Sequence, residues 1–313
     1  MTRRYSRQSI AGSDVRLLES FVLAARPRRV PDGRRANKLT ITELLDARFG
    51  SDCGTPSTSV DQALHRVLAR RTCRRYTNQP VPADLVNLLL DVAFCASSKS
   101  DYQQASVIVV GDSATRSRIA ELVPSMDWIA SAPLFVVFCA DAARLEKASS
   151  LRGKPTQNRN LEAFFNASID AALVMQTFIL AAEQCGLGCC PISAIRLHLT
   201  KLRSILALPE LVVPVAGLCV GYPGEPGFIS MRFPRSVTRH VDRYDDTDLE
   251  SRIDDYDRVR AGRFATPRDK QRNPKEFGYA EFYGWSEDKS RQLRAGEGDD
   301  FGSMVRQCGF TLT

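Results

Sequence analysis

LEAFFNASIDAALVMQTFILAAEQ, residues 161–184, with Cys185-Gly186-Leu187-Gly188 after it, is the stretch on which the fold turns. Phe164, Phe165, Ile169, Leu173, Val174, Met175, Phe178, Ile179 and Leu180 fall almost all round a helical wheel. A helix that is apolar on every face must be buried on every face. The pattern therefore predicts a central helix over Leu161–Gln184, with a subunit interface as one way of covering it. Gly186 and Gly188 end it as C-cap glycines would. A membrane span needs roughly 18–20 apolar residues. The longest run here, Ala171 to Ala182, is flanked by Asp170 and Glu183 and interrupted by Gln176, so a buried helix is the better reading.

Outward from this helix, helices interleave with short apolar runs. Asp61 to Ala69 reads as a helix. Asp84 to Ala96 reads as a stronger one, with Pro82 before it and Leu85, Leu88, Leu89 and Val92 at helical spacing. ASVIVV (105–110), closed by Gly111 and Asp112, is a strand, and LFVVFC (134–139) is a second, buried one. Ala114 to Leu122 and Arg196 to Leu206 are further helices, and VVPVAGLCV (212–220) is a third strand. This alternation predicts a layered domain that mixes helices and strands.

The ends differ from the middle. Residues 1–59 form an Arg-rich extension and linker, with short helices expected at Val15 to Ala25 and at Thr40 to Phe49, the latter turning Leu44 and Leu45 inward. The main domain spans 60–244. Residues 245–313, acidic and then basic and broken by Pro267 and Pro274, form a C-terminal extension.

The 313 residues are 43% apolar and 25% charged, which excludes fibrous and wholly disordered classes. The net charge is +7, but +5 of it lies in residues 1–60, so the nearly neutral body gives no reason to expect nucleic acid as a partner. Nine cysteines without framework spacing read as reduced thiols in a cytoplasmic protein. His65, His198 and His240 have no metal-ligand spacing, so no metal site is expected.

Neither a GxxxxGK[ST] loop nor a GxGxxG turn after a strand is present. A phosphorylated cofactor would then need charged side chains to hold it. Arg70-Arg71-Thr72-Cys73-Arg74-Arg75-Tyr76 offers four arginines around a hydroxyl, and arginine forks match phosphate oxygens. The plainer alternative is a solvated helix end. Ser97-Ser98-Lys99-Ser100-Asp101-Tyr102-Gln103-Gln104 offers hydroxyls and amides for ribityl or phosphate oxygens, or is simply a polar loop. Gly188-Cys189-Cys190-Pro191-Ile192-Ser193 allows a flat ring to approach closely, or is a helix stop and turn.

Taken in order, these stretches resemble the nitroreductase family of FMN-dependent NAD(P)H oxidoreductases. The arginine run leading to Pro80-Val81 matches its opening motif. Ser97 to Gln103 entering ASVIVV, Ala132-Pro133 before a buried strand, Ala181-Ala182-Glu183-Gln184-Cys185-Gly186-Leu187-Gly188, and Leu208-Pro209 with Pro214 to Pro223 follow at fitting spacing. The branch it most resembles is that of flavin reductase P and the major oxygen-insensitive nitroreductases.

The resemblance implies an α+β fold: a three-layer α/β/α sandwich with a mixed, mainly antiparallel sheet, in an intertwined homodimer. It implies ping-pong transfer of hydride from NADPH or NADH through FMN to a nitroaromatic, quinone or similar small acceptor. The flavin N5 would carry the chemistry, so no catalytic side chain is assigned. Arg70, Arg71, Thr72 and Arg74 would contact phosphate and flavin, and Arg232 would close the phosphate site. Pro191, Ile192, Ser193 and Ala194 would face the ring. Ser98, Lys99 and Ser100 would come from the partner subunit, with Gln103 from the same loop.

Two departures are plain. Ser193-Ala194 replaces a Gly-Gly pair, and Ser230-Met231-Arg232 replaces Lys-x-Arg, a loss of one cation that Lys99 is expected to offset. Arg263, Arg268, Lys270 and Arg272 lie where the branch reads the NADPH 2′-phosphate, or form a solvated loop. Two other readings stay open: an FMN-binding relative that is non-catalytic or modifies flavin, and a nucleic-acid-associated protein using the Arg-rich arm.

Overall fold

The computed structural model describes residues 39–50, 61–156, 158–225, 227–294, 296 and 298–312. The helix expected at Val15 to Ala25 and the linker at 51–59 lie outside the described residues. In chain order the main elements are α1 (Ile41–Phe49), α2 (Gln62–Leu68), α3 (Ala83–Ala93), β1 (Ala105–Val109), α4 (Ser113–Glu121), β2 (Leu134–Asp141), α5 (Ala143–Leu151) and α6 (Leu161–Gln184). They continue with β3 (Gly188–Ile192), α7 (Leu199–Leu206), β4 (Val212–Gly221), α8 (Leu249–Arg263), α9 (Trp285–Arg294) and α10 (Phe301–Gln307).

The four strands form one sheet in the order β1-β2-β4-β3, every neighbouring pair antiparallel. A single parallel bridge, Thr72 to Cys189, extends it beyond β3 and makes it mixed. β2 is buried at every residue. Its side chains alternate between two layers, as strand geometry requires. Leu134, Val136 and Phe138 pack with α3 and α6, around Leu89, Val174, Phe178 and Ala182. Phe135, Val137 and Cys139 pack with α4 and α7, around Ile119, Ile195 and Leu202. The result is the expected three-layer α/β/α sandwich.

β4 contains Pro214, which has no N–H to give a ladder. The β2–β4 register slips there: Phe138 faces Ala216 and Cys139 faces Pro214, so Val215 is skipped as in a β-bulge. The Arg196 guanidinium donates to the carbonyl of that skipped residue.

α6 matches its predicted bounds. Its C-terminus is a Schellman turn: Leu187 N donates to Ala182 O at 3.0 Å and Gly186 N to Glu183 O at 3.2 Å, with Gly186 at φ +81°. Gly188 does different work from the capping expected of it. It opens β3, where a Cβ would lie 2.5 Å from Cys73 Cβ, so only glycine lets the arginine run pack against this edge.

By length and a mean hydropathy of 1.5, the whole of α6 could cross a membrane, which the run 171–182 alone did not suggest. Here it is a core helix. Ala163, Ala167, Ala171, Val174, Phe178 and Ala182 are buried, and so is Asp170. Within one chain the other face is open: Leu161, Phe165, Ile169 and Leu173 are exposed, Phe165 at 60%. Leu88 and Val92 of α3 are also exposed.

The described residues from Thr40 onward form one compact unit that includes α1 and the C-terminal segment. α1 begins at a capping box of Thr40 and Glu43 and buries Leu44. The C-terminal segment packs Met304, Val305, Cys308 and Phe310 on Ala163, Leu199 and Leu211, and groups Phe233, Tyr256 and Trp285 with ring centroids 4.6–6.1 Å apart. The described cysteines are all free thiols.

Candidate functional site

The arginine run lies along the free edge of β3. Cys73 N donates to Cys189 O at 3.0 Å, Thr77 N to Tyr222 O at 2.9 Å, and Gly224 N to Arg75 O at 2.9 Å. The run is thus pinned between β3 and the segment leaving β4. The Tyr76 hydroxyl, within 2.6 Å of Cys73 O and 3.1 Å of Cys219 O, holds its C-terminal end. Such backbone pairing fixes where each arginine can point.

A cavity of about 220 Å³ opens beside this run, lined by Arg66, Arg70, Arg71 and Thr72 and floored by Gly188. Glu183, in the last turn of α6, stands inside it as an ion pair with Arg70 at 3.1 Å. Burial pushes the Glu183 carboxyl up to about 7, although Arg70 and Arg48 pull the other way. Arg74 extends to the other side and stacks over Trp128 at 5.4 Å. Beyond Cys190, Pro191 and Ser193 are exposed while Ile192 is buried, so residues 191–194 present an open surface next to Arg74. Burial pushes the Cys190 thiol up, against the opposing pull of Arg74.

Arg232 joins the same cluster through α1. Its backbone N donates to Arg48 O at 2.6 Å, and its Nη1 rests 2.7 Å from Ser230 Oγ. The Arg48 guanidinium is buried and lies near Arg232, Arg70 and Arg71; desolvation and those three like charges hold its pKa below the usual arginine value. Such concentrated positive charge in a partly dry site is costly unless an anion shares it.

The Ser-rich loop sits elsewhere. Ser98 and Gln103 line a second cavity of about 410 Å³ with Asp101, Gln104 and Asp170. Asp170 of α6 organises it, accepting from Ser98 Oγ at 2.7 Å, Lys99 N at 3.1 Å and Gln104 N at 3.1 Å. Ser100, Asp101 and Gln103 all have positive φ, so this loop is held in a shape that side-chain-bearing residues rarely adopt. Lys99 Nζ lies over the Tyr102 ring, 5.4 Å from its centroid. Asp170 and Glu183 are thirteen residues apart on one helix, about 20 Å at 1.5 Å per residue. Within one chain, then, Arg70, Arg71, Thr72, Arg74, Pro191–Ala194 and Arg232 come together, whereas Ser98, Lys99, Ser100 and Gln103 stand apart.

Of the basic tail residues, Arg263 grips Asp46 with Nη2 at 3.0 and 3.1 Å, and Arg272 pairs with Asp288 at 3.0 Å. Arg268 stacks on Tyr279 at 4.7 Å, and Lys270 is exposed.

Arg48, Glu183 and Asp170 are the site residues that sequence reading passed over. For Arg48 a signal existed: it follows Leu44 by four residues, placing a charge on the apolar face of α1.

Glu183 gives a first prediction. Its folded value of about 7 exceeds the unfolded value of 4.5, so the folded chain holds a proton that the unfolded chain releases between those limits. Its contribution to stability therefore falls as pH rises from about 4.5 to 7 and is flat above that. Glu183→Gln should remove a slope worth on the order of 2 kcal/mol. Urea unfolding of the ligand-free protein from pH 4.5 to 8 measures this; equal slopes in the two proteins would show that Glu183 titrates normally.

The Nitroreductase family model matches residues 67–222. A Bacillus subtilis (strain 168) protein named as an NAD(P)H FMN reductase is 32% identical over 203 residues, 63% of this chain and 81% of the relative. An oxygen-insensitive NADPH nitroreductase of Salmonella typhimurium is 31% identical over 179 residues, 57% of this chain and 72% of the relative. The solved structure of Bacillus megaterium NfrA2 superposes with a TM-score of 0.73 at 30% identity, covering 81% of this chain and all of that one.

Proposed function

The chain belongs to the nitroreductase family, and we propose that it is an FMN-dependent oxidoreductase that passes electrons from NAD(P)H to a small nitroaromatic or quinone acceptor. The observation that carries this reading is the grouping of Arg70, Arg71 and Arg232 around buried Arg48, with the half-buried Glu183 carboxylate paired to Arg70, beside an open strand edge. That donor set fits a phosphate and the anionic face of a ring system. Relatives named as an FMN reductase and an NADPH nitroreductase support the same cofactors.

When bound, FMN supplies the hydride relay between NAD(P)H and acceptor, and the protein contributes binding, orientation and charge. Arg70, Arg71, Thr72 and Arg232 would hold the phosphate. Arg74, stacked on Trp128, would lend positive charge near the ring, and Pro191, Ser193 and Ala194, with Ile192 through its backbone alone because its side chain is buried, would face the ring. Donor and acceptor use one cleft in turn, which is the ping-pong order. Of the four tail cations at Arg263, Arg268, Lys270 and Arg272, Arg268 and Lys270 have no close carboxylate partner among the described residues and are the candidates for the NADPH 2′-phosphate.

The working unit is a homodimer. Leu161, Phe165, Ile169 and Leu173 of α6 are exposed, and so are Leu88 and Val92 of α3, the helix packed against it, apolar surface that water disfavours. Pairing two chains there brings Ser98, Lys99, Ser100 and Gln103 of one chain to the arginine cluster of the other, which the separation along α6 forbids within a chain. The cytoplasm, where thiols stay reduced, is the proposed location.

The visible spectrum of the purified protein under nitrogen tests the function. Flavin bands that bleach on adding NADPH are the expected result. Bands that persist would leave a flavin-binding protein without reductase activity. No flavin, even after incubation with FMN, would overturn the reading.

A further inference from the structure

Helix α1 lies ahead of the segment matched by the family model, residues 67–222, yet its last turn enters the arginine cluster. Arg48 Nη1 donates to Ser230 O at 2.8 Å, and its Nη2 donates to Leu68 O at 2.9 Å and to Arg70 O at 2.6 Å. Its own carbonyl accepts from Arg232 N at 2.6 Å. One residue thus ties the loop carrying Arg70 and Arg71 to the loop carrying Arg232. Lysine could not span three carbonyls in this way, because the planar fork sets the directions of its donors.

Arg48 is 8% exposed and makes no ion pair among the described residues. Its helix is anchored by buried Leu44 and by the Asp46–Arg263 pair. One of the three carbonyls it binds belongs to Ser230, so α1 brings a cation to a loop position whose own side chain is uncharged.

We infer that Arg48 is a positioning residue for the phosphate of FMN: from outside the family segment it clamps the two phosphate loops together and sets a buried positive charge beneath them. The inference rests on the flavin reading above. The clamp acts on the phosphate end alone, since Pro191–Ala194 and Arg74 are held by other contacts.

FMN and riboflavin differ only in the phosphate, so they separate this role from a general structural one. The experiment titrates full-length protein, stripped of flavin, with each ligand and follows flavin fluorescence. Wild type should bind FMN more tightly than riboflavin. Arg48→Gln should weaken FMN by about 10- to 100-fold, the scale of losing charged hydrogen bonds, and leave riboflavin within about threefold. Arg48→Lys, which keeps the charge without the three-way clamp, should fall between, and it makes the same comparison if Arg48→Gln does not fold. Unchanged FMN affinity, or parallel losses of FMN and riboflavin, would overturn the inference. Wild type that binds neither ligand would instead remove the flavin reading on which it stands.

Discussion

Phe165→Asp combined with Leu173→Asp should yield a folded monomer that has lost its flavin. Both side chains are exposed in the single chain, at 60% and 41%, and lie on the face of α6 turned away from the sheet. Burying each at an interface is worth about 1.5–3 kcal/mol per side chain, and placing carboxylates there adds the cost of unpaired charge. The chain's own core is untouched, because Ala163, Ala167, Ala171, Val174 and Phe178 occupy the opposite face. Since the Ser98–Gln103 loop and the arginine cluster lie about 20 Å apart along α6, a monomer keeps only half of each site. FMN affinity should fall by more than about 100-fold, the equivalent of some 3 kcal/mol. Sedimentation velocity and flavin absorption measure both effects. A monomer that retains FMN would mean that each chain carries a complete site.

The second large effect is expected at Asp170. Only 2% exposed, it accepts from one hydroxyl and two backbone N–H groups, and so holds the Ser-rich loop in a conformation with three residues at positive φ. Asp170→Ala would leave those donors without their acceptor and open a small void. A stability loss of about 3–5 kcal/mol follows from losing charged, buried hydrogen bonds. The loop should relax and its share of the FMN site should go with it. Asp170→Asn keeps the shape but turns an N–H₂ group toward at least one donor, and should cost roughly half as much. Urea unfolding and FMN titration check both variants; a stable Asp170→Ala protein with normal FMN affinity would show that the loop holds itself.

Much of the main domain is legible in local pattern. A continuous apolar run as short as LFVVFC, rich in valine and phenylalanine, reads as a strand covered on both sides, and α6 is readable from one end to the other. The elements that escape are short or locally ambiguous. β3, Gly-Cys-Cys-Pro-Ile, has a glycine and a proline among five residues and reads as a turn; it is a strand because β4 and the arginine run supply partners on either side. α5 has few apolar residues and none buried, so nothing in its periodicity announces it.

The site divides in the same way. Taken alone, the run at Arg70, Arg71, Thr72 and Arg74 reads as a solvated helix end as readily as an anion site, and it is the ordered motifs around it, through their resemblance to a family, that point to phosphate and flavin contacts. No such signal marks Asp170 or Glu183, since each is a common residue whose meaning depends on what lies across from it, and Arg48 is marked only by its place on the apolar face of α1. Sequence by itself determined the types of the longer elements, a layered domain that mixes helices and strands, and an arginine run chemically suited to phosphate, all properties of side-chain chemistry and short-range spacing. Tertiary structure alone decided that Arg48 reaches carbonyls 20, 22 and 182 residues away. It also decided that α6 holds the Ser-rich loop and the arginine cluster apart, since those relations arise from packing between segments that no local spacing encodes.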